Sequence, residues 1–173
     1  MKNTICLIVL LVGIIIISCQ TNPNQKFDKD SVIKKLSEEN DLYLQALIKA
    51  DFNAMRELEK CELDSVINIA NGTFVWEKKF KSMTDEELKS LFSFDKIKYT
   101  EIKYLQKPVF NFSPDGMMAY EYGKIHFTYE TKDSLGNTKN DAFIVSYLSI
   151  WEKKDTCWAT VAGSQTFDYN PDK

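Results

Sequence analysis

The fold is decided by residues 118 to 166, MAYEYGKIHFTYETKDSLGNTKNDAFIVSYLSIWEKKDTCWATVAGSQT. Three β-rich segments are separated here by two short polar stretches, DSLGN at 133 to 137 and EKKDT at 152 to 156, whose composition favours turns. Strands joined by such short turns pair in antiparallel fashion. The stretch therefore predicts a meander of three long strands.

The middle strand of this meander, over 141 to 151, is apolar on both faces. Alternation divides its side chains into two sets, Phe143, Val145, Tyr147 and Trp151 on one face, and Ala142, Ile144, Leu148 and Ile150 on the other. A sheet face that meets water should carry polar side chains instead. One face can pack on helices, whereas the other needs a second cover. We expect a homodimer through the outer sheet face; a long loop is the alternative cover.

The residues before the meander divide into helices and strands. A helical pattern runs from about Asp28 to Lys60, with a break near 50 to 55 where Asp51 can cap a second helix. The TDEE stretch at 84 to 87 has the spacing of a capping box and opens a third helix. Asn71-Gly72 favours a hairpin turn, and a further strand covers 97 to 112. Helices followed by a run of strands predict an α+β fold.

The segment LYLQALIKADFNAMRELE at 42 to 59 and the late strand pattern resemble the nuclear transport factor 2-like superfamily. These cystatin-like cones include SnoaL-type cyclases and ketosteroid isomerase. The resemblance covers about 31 to 167; its late markers are Ile150-Trp151-Glu152-Lys153 and Trp158. It implies N-terminal helices packed in the concave face of a strongly curved antiparallel sheet. It also implies a pocket inside the cone and dimers through the outer sheet face.

The resemblance to ketosteroid isomerase implies an aspartate base, a tyrosine and a protonated carboxylic acid. Tyr43 stands at a place resembling the isomerase tyrosine, but the base should fall on the first strand, at Ile67, Asn68 or Ile69. None of these is a carboxylate. We therefore assign no catalytic residue and interpret Tyr43 as a core tyrosine. A SnoaL-type or isomerase-type enzyme with His126 or Glu101 as its base stays open.

His126 is the one histidine of the sequence and the side chain that ordinarily titrates near neutrality. Alternation places it on the face of Tyr120, Tyr122 and Thr128, which either lines the pocket or faces outward. The ligand-binding candidates, chosen for aromatic size and strand position, are Tyr43, Trp76, His126, Tyr147 and Trp151.

Composition argues against several classes of site. One histidine and two distant thiols, Cys61 and Cys157, give no zinc spacing, and the six glycines form no phosphate loop. Neither a metal nor a cofactor is therefore expected. A net charge of −3 without a basic stripe disfavours nucleic acid as a partner. We interpret the two thiols as unlinked, with a disulfide as the alternative.

The first residues predict export. An apolar run from Ile5 to Ile17 follows Lys2, and it is short for a membrane span, which needs about 20 residues. Ile16-Ile17-Ser18-Cys19 resembles the lipobox of bacterial lipoproteins, which implies cleavage before Cys19 and acylation of its thiol. Stable attachment then follows from two or more acyl chains. Gln20 stands where an aspartate would retain the protein at the inner membrane, so the outer membrane is favoured in a two-membrane cell.

The expected organisation is a signal peptide at 1–18, a lipidated cysteine and flexible tether at 19–30, a domain at 31–167 and a tail at 168–173. The function predicted from the sequence is that of a bacterial envelope lipoprotein that binds a small apolar ligand or another envelope protein. An enzyme of the SnoaL or isomerase type is the first alternative, and a structural dimeric interaction module is the second.

Overall fold

A computed structural model describes residues 27–169 as three helices and one six-stranded sheet. The helices and strands follow the chain in the order α1 Lys29–Lys49, α2 Phe52–Leu58, β1 Ser65–Ala70, β2 Thr73–Lys78, α3 Asp85–Leu91, β3 Ile97–Phe112, β4 Met118–Lys132, β5 Thr138–Lys153 and β6 Trp158–Asp168. A 3-10 turn at Phe80–Ser82 joins β2 to α3. The predicted α+β class is confirmed.

The sheet has the strand order β2-β1-β6-β5-β4-β3. Strands β3 to β6 form the predicted antiparallel meander, and β1 and β2 form the predicted hairpin. The prediction of a wholly antiparallel sheet is wrong at one place, because β1 pairs with β6 in parallel. The β1–β2 hairpin lies next to β6, the last strand of the meander, and β1 and β6 run in the same direction.

The helix boundaries follow the capping residues that the sequence indicates. Asp51 accepts a hydrogen bond from the backbone N–H of Ala54 at 3.0 Å and starts α2, while Ala50 adopts a left-handed conformation that ends α1. Thr84 and Glu87 form the reciprocal capping box that starts α3. At the β1–β2 turn, Asn71 and Gly72 both have positive φ, as a type I′ turn requires.

The helices pack on the inner face of the sheet. The core of this side is formed by buried side chains of the three helices and of strands β3 to β5, among them Leu44, Leu47, Met55, Leu88, Tyr99, Phe127 and Val145. Three register shifts in β3 and one between β5 and β6 bend the sheet around α1. The curvature leaves open space between α1 and the strands.

A disulfide bond joins Cys61, just after α2, to Cys157, just before β6, with the two Cα atoms 6.4 Å apart. The interpretation of these residues as unlinked thiols is therefore wrong. Cys157 lies in the turn that precedes β6 and not inside a strand. The disulfide ties the end of α2 to the β5–β6 turn.

The outer face of the sheet carries exposed apolar side chains, as alternation along β5 predicts. Phe74 and Trp76 on β2 are 75% and 74% exposed, and Leu148 on β5 lies on the same face. Tyr120 and Tyr122 on β4 extend this surface. The apolar outer face has no cover among residues 27–169.

The predicted signal peptide, the lipidated Cys19 and most of the tether lie outside the described residues. The end of the expected tether is structured, because Phe27 packs against Phe112 with ring centroids 5.1 Å apart and α1 begins at Lys29. Within residues 27–169, no helix combines the length and the apolar composition that a membrane crossing requires.

Candidate functional site

A cavity of about 620 Å³ lies between α1 and the inner face of the sheet. Half of the residues in its wall are aromatic, because the inward positions of β3 to β6 carry large rings, as do α1 and the turn before α3. Those that matter for the site are Tyr43, Phe80, Tyr99, Phe127, Tyr147 and Trp151. A concave, mainly apolar cavity with a few fixed polar groups is the usual form of a small-molecule site.

Glu121 on β4 is the most deeply buried polar side chain of this wall, with 1% of its surface exposed. One carboxylate oxygen accepts hydrogen bonds from Asn40 Nδ2 and from the Tyr147 hydroxyl, both at 2.7 Å, and the other accepts from Trp151 Nε1 at 3.1 Å. Burial raises the pKa of the Glu121 carboxyl above its ordinary value, and these hydrogen bonds partly offset the rise. Three neutral donors therefore hold Glu121 in a fixed orientation.

A smaller chamber of about 240 Å³ adjoins the aromatic cavity and is more polar. Several residues line both chambers. We call six of these shared residues the junction: Asn40, Tyr43, Glu77, Phe80, Tyr147 and Trp151. Four carboxylates and one cation line the smaller chamber: Glu39, Glu59, Glu62, Glu77 and Lys79. An apolar space thus opens into an acidic one.

Lys79 is held by two of these carboxylates. Its Nζ lies 3.2 Å from Glu59 and 3.6 Å from Glu62. Glu62 also accepts hydrogen bonds from the backbone N–H and the hydroxyl of Thr160, at 2.7 to 2.9 Å. Burial raises the pKa of Glu59, whereas Lys79 acts to lower it. This network joins the end of α2 to β6, next to the disulfide, and we assign it a structural role.

Glu77 and Asn68 are diagonal neighbours on the inner face of the β1–β2 hairpin. Asn68 Nδ2 donates a hydrogen bond to a Glu77 carboxylate oxygen at 2.7 Å. Asn68 is 8% exposed, and its Oδ1 is buried without a hydrogen-bond partner among the described residues. A glycine at 163 gives this oxygen room, since a Cβ there would lie 3.2 Å from it.

Tyr43, Tyr99 and Tyr147 stay neutral in the wall. Burial raises the pKa of Tyr43 well above its ordinary value, and it raises the pKa of Tyr99 to about 12. Burial and then the charge of Glu121 raise the pKa of Tyr147 further still. These hydroxyls keep their protons under physiological conditions.

The structure brings three of the five predicted ligand-binding residues into the wall, namely Tyr43, Tyr147 and Trp151. Trp76 and His126 lie outside it, and for them the prediction is corrected. Trp76 points outward because the inward positions of β2 are those of Val75 and Glu77, opposite Asn68 and Val66.

His126 lies opposite Lys103 and Ile144 on the outer face of β4, and its Nδ1 is buried with no partner within 27–169. Glu101, the suggested alternative base, also faces outward and pairs with Lys103 at 3.1 Å. Neither side chain lines the cavity.

Sequence reasoning missed Glu121, Glu77 and Asn40. For Glu121 a signal was present, because alternation places it on the face of Ile125, Phe127 and Tyr129, where a lone carboxylate among apolar side chains stands out. Within the part of the chain that the structure describes, no group of three or more His, Cys, Asp or Glu side chains is arranged to hold a metal ion.

Neither a protein-family model nor a curated protein matches the chain. Solved structures do match it. A nuclear transport factor 2 (NTF2-like) superfamily protein from Salmonella enterica serovar Typhimurium is 21% identical over 79% of this chain and 90% of its own, with a TM-score of 0.55. An NTF2-like protein from Cytophaga hutchinsonii is 21% identical over 81% and 98%, with a TM-score of 0.50.

A putative calcium/calmodulin-dependent kinase II association domain from Exiguobacterium sibiricum is 12% identical over 82% of this chain and 95% of its own, with a TM-score of 0.52. At these identities the likeness concerns the fold alone. It agrees with the helix-filled cone that the sequence pattern indicates.

Proposed function

We propose that this chain, which has the nuclear transport factor 2-like fold, is a binding protein that holds a small, largely apolar ligand in its aromatic cavity. The observation that carries the proposal is the cavity of about 620 Å³, whose wall is aromatic around one fixed carboxylate, Glu121. A rigid aromatic wall favours apolar bodies, and a few oriented polar groups supply specificity.

The anchoring part of the proposal rests on the sequence. The stretch Ile16-Ile17-Ser18-Cys19 supports lipid attachment at Cys19, and the polar residues after it suit a tether to the first helix. The protein would then present its cavity at the surface of a bacterial membrane, with the outer membrane favoured where there are two.

The partner part of the proposal rests on the outer sheet face. Exposed Phe74, Trp76, Leu148, Tyr120 and Tyr122 form an apolar surface on one side of the sheet. A second copy of the chain would remove this surface from water. We therefore propose a homodimer through this face.

An enzyme is the second candidate, and one observation favours it. Glu77 stands beside Asn68, close to where an isomerase base is expected, and it lines the cavity together with Tyr43 and Glu121. Against it, the one histidine lies on the outer face. An isomerase would convert a β,γ-unsaturated ketone to its conjugated isomer, and ultraviolet absorbance would follow this. We expect no conversion; conversion that is lost in Glu77→Gln would establish the enzyme instead.

Binding can be tested with Nile red, a neutral apolar dye whose fluorescence rises when it leaves water. The chain from Gln20 keeps the whole described fold, and we expect it to bind the dye saturably, one molecule per chain. Ser149→Phe places a ring inside the wall and should weaken binding at least tenfold.

Ser134→Phe makes the same change on the exposed β4–β5 turn and should leave dye binding unchanged. This matched control also accounts for dye that adsorbs to the outer face, since neither substitution lies there. Equal dye binding by both variants would contradict a site in the cavity.

A further inference from the structure

Two carboxylates in the cavity wall lack a cationic partner. Glu77 accepts a hydrogen bond from the neutral amide of Asn68, and Glu121 accepts from three neutral donors, Asn40, Tyr147 and Trp151. No ion pair within residues 27–169 includes either carboxylate. Neither carboxylate is therefore paired with a cation of the described residues.

The charge of the two chambers favours a cation over an anion. Together their walls hold five carboxylates and one cation, Lys79, whose ammonium group is already engaged by Glu59 and Glu62. A cleft lined by one sign of charge, with walls of low dielectric constant, concentrates ions of the opposite sign. An anionic ligand such as a fatty acid would be repelled here.

Aromatic rings at the junction add a second interaction for a cation. Tyr43, Phe80, Tyr147 and Trp151 line both chambers. The face of an aromatic ring attracts an ammonium group, most strongly when the site is shielded from water. The junction therefore combines aromatic rings with the Glu77 carboxylate, which lines both chambers.

Asn68 Oδ1 indicates what kind of cation fits. Asn68 lines the acidic chamber, and its Oδ1 is buried and accepts no hydrogen bond from the described residues. An unmatched buried acceptor costs about 1 to 3 kcal/mol, which a donor arriving with the ligand would recover. A primary or secondary ammonium supplies such N–H donors, whereas a quaternary ammonium has none.

We propose that the ligand is a primary or secondary ammonium carried on an apolar body, with the ammonium at the junction beside Glu77 and Asn68 and the body in the aromatic cavity. This inference rests on the proposed function, because it specifies the chemistry of the ligand in the same cavity. It adds the charge, the hydrogen-bonding capacity and the orientation of that ligand.

The test uses compounds that share one carbon skeleton and differ in the head group: 4-phenylbutylamine, 4-phenylbutanol and 4-phenylbutyrate. Their affinities for the chain from Gln20 are measured by calorimetry at neutral pH. We expect the amine to bind at least tenfold more tightly than the alcohol, a difference of about 1.4 kcal/mol. The carboxylate should bind more weakly than the alcohol. The trimethylammonium analogue should bind more weakly than the amine, because it offers no N–H to Asn68.

Two variants locate the effect. Glu77→Gln keeps an oxygen that can accept from Asn68, so the hairpin contact is retained while the charge is lost. It should bring the affinity ratio of amine to alcohol close to one. Glu101→Gln removes a carboxylate charge from the outer face and should leave this ratio as it is in the parent chain.

The outcomes separate this inference from the proposed function. If the alcohol binds as tightly as the amine, the ammonium assignment is overturned, while a neutral apolar ligand in the cavity still stands. If the trimethylammonium analogue matches the amine, the role given to Asn68 is overturned. If no compound of the series binds and Nile red also fails, both the inference and the proposed function are overturned.

Discussion

Removal of the disulfide between Cys61 and Cys157 should lower the stability of the domain by several kilocalories per mole. The perturbation is the double substitution Cys61→Ala and Cys157→Ala in the chain from Gln20, which contains no other cysteine. Replacement of both residues leaves no unpaired thiol that could form a bond between molecules.

The magnitude follows from the length of chain that the bond closes. The two cysteines are 96 positions apart in the sequence. In the chain-entropy model, a cross-link over a loop of about this length stabilises the folded state by about 4.7 kcal/mol at 25 °C, while native disulfides of small domains contribute about 2 to 5 kcal/mol. We expect a loss of about 4 kcal/mol, which lowers the thermal midpoint by about 12 °C in a domain of this size.

Urea unfolding followed by far-ultraviolet circular dichroism measures this loss. The double variant should unfold at a lower urea concentration, and the parent chain treated with a reducing agent should unfold at the same reduced concentration. The reducing agent should not affect the double variant. A parent chain whose midpoint does not move on reduction, or that shows two free thiols when unfolded without a reducing agent, would refute the pairing.

Four further predictions concern the cavity, the charges, the outer face and the anchor. Glu121→Gln should lower the free energy of unfolding by about 1 to 3 kcal/mol in urea titrations, because an amide leaves at least one of the three donors without an acceptor. Burial raises the pKa of Glu39, Glu59 and Glu121, so the folded domain binds more protons than the unfolded chain above about pH 4.5. Its thermal midpoint should therefore fall as the pH rises above about 5, and a midpoint that rises instead would contradict the burial of these groups. Trp76→Glu should turn a dimer into a monomer in analytical ultracentrifugation, and a parent chain that is already monomeric at micromolar concentration would contradict the proposed interface. Metabolic labelling with palmitate should be lost in Cys19→Ala, and labelling that persists would contradict lipid attachment at Cys19.

Patterns between near neighbours in the sequence predicted much of the fold. Alternation along β5 separated the inward Tyr147 and Trp151 from the outward Leu148, and both rings line the cavity. The capping residues Asp51 and Thr84 placed the starts of α2 and α3. These features depend on residues within a few positions of each other, where helix and strand periodicity dominates.

The misses depend on contacts between residues that are distant in the sequence. Glu121 receives its hydrogen bond from Asn40 across 81 positions, and Cys61 meets Cys157 across 96. The inward or outward direction of Trp76 is set by the pairing of β2 with β1 and by the docking of that hairpin on β6. Tertiary packing decides such pairings, and periodicity within a single segment carries no information about them.

The site was visible in part for the same reason. Aromatic residues at inward strand positions predict an apolar cavity, and Tyr43 follows from the stripe of the first helix. Whether a carboxylate in the wall has a cationic partner depends on which strands and helices face it. The negative charge of the cavity could therefore be recognised only from the tertiary structure, in which the sheet curves around α1.

A crystal structure of the chain from Gln20 in complex with Nile red would show whether the cavity is the ligand site. We expect the dye to lie between α1 and the inner faces of β4 and β5, in contact with Tyr147 and Trp151. Dye bound on the outer face beside Trp76, or a cavity closed by the protein's own side chains, would contradict it.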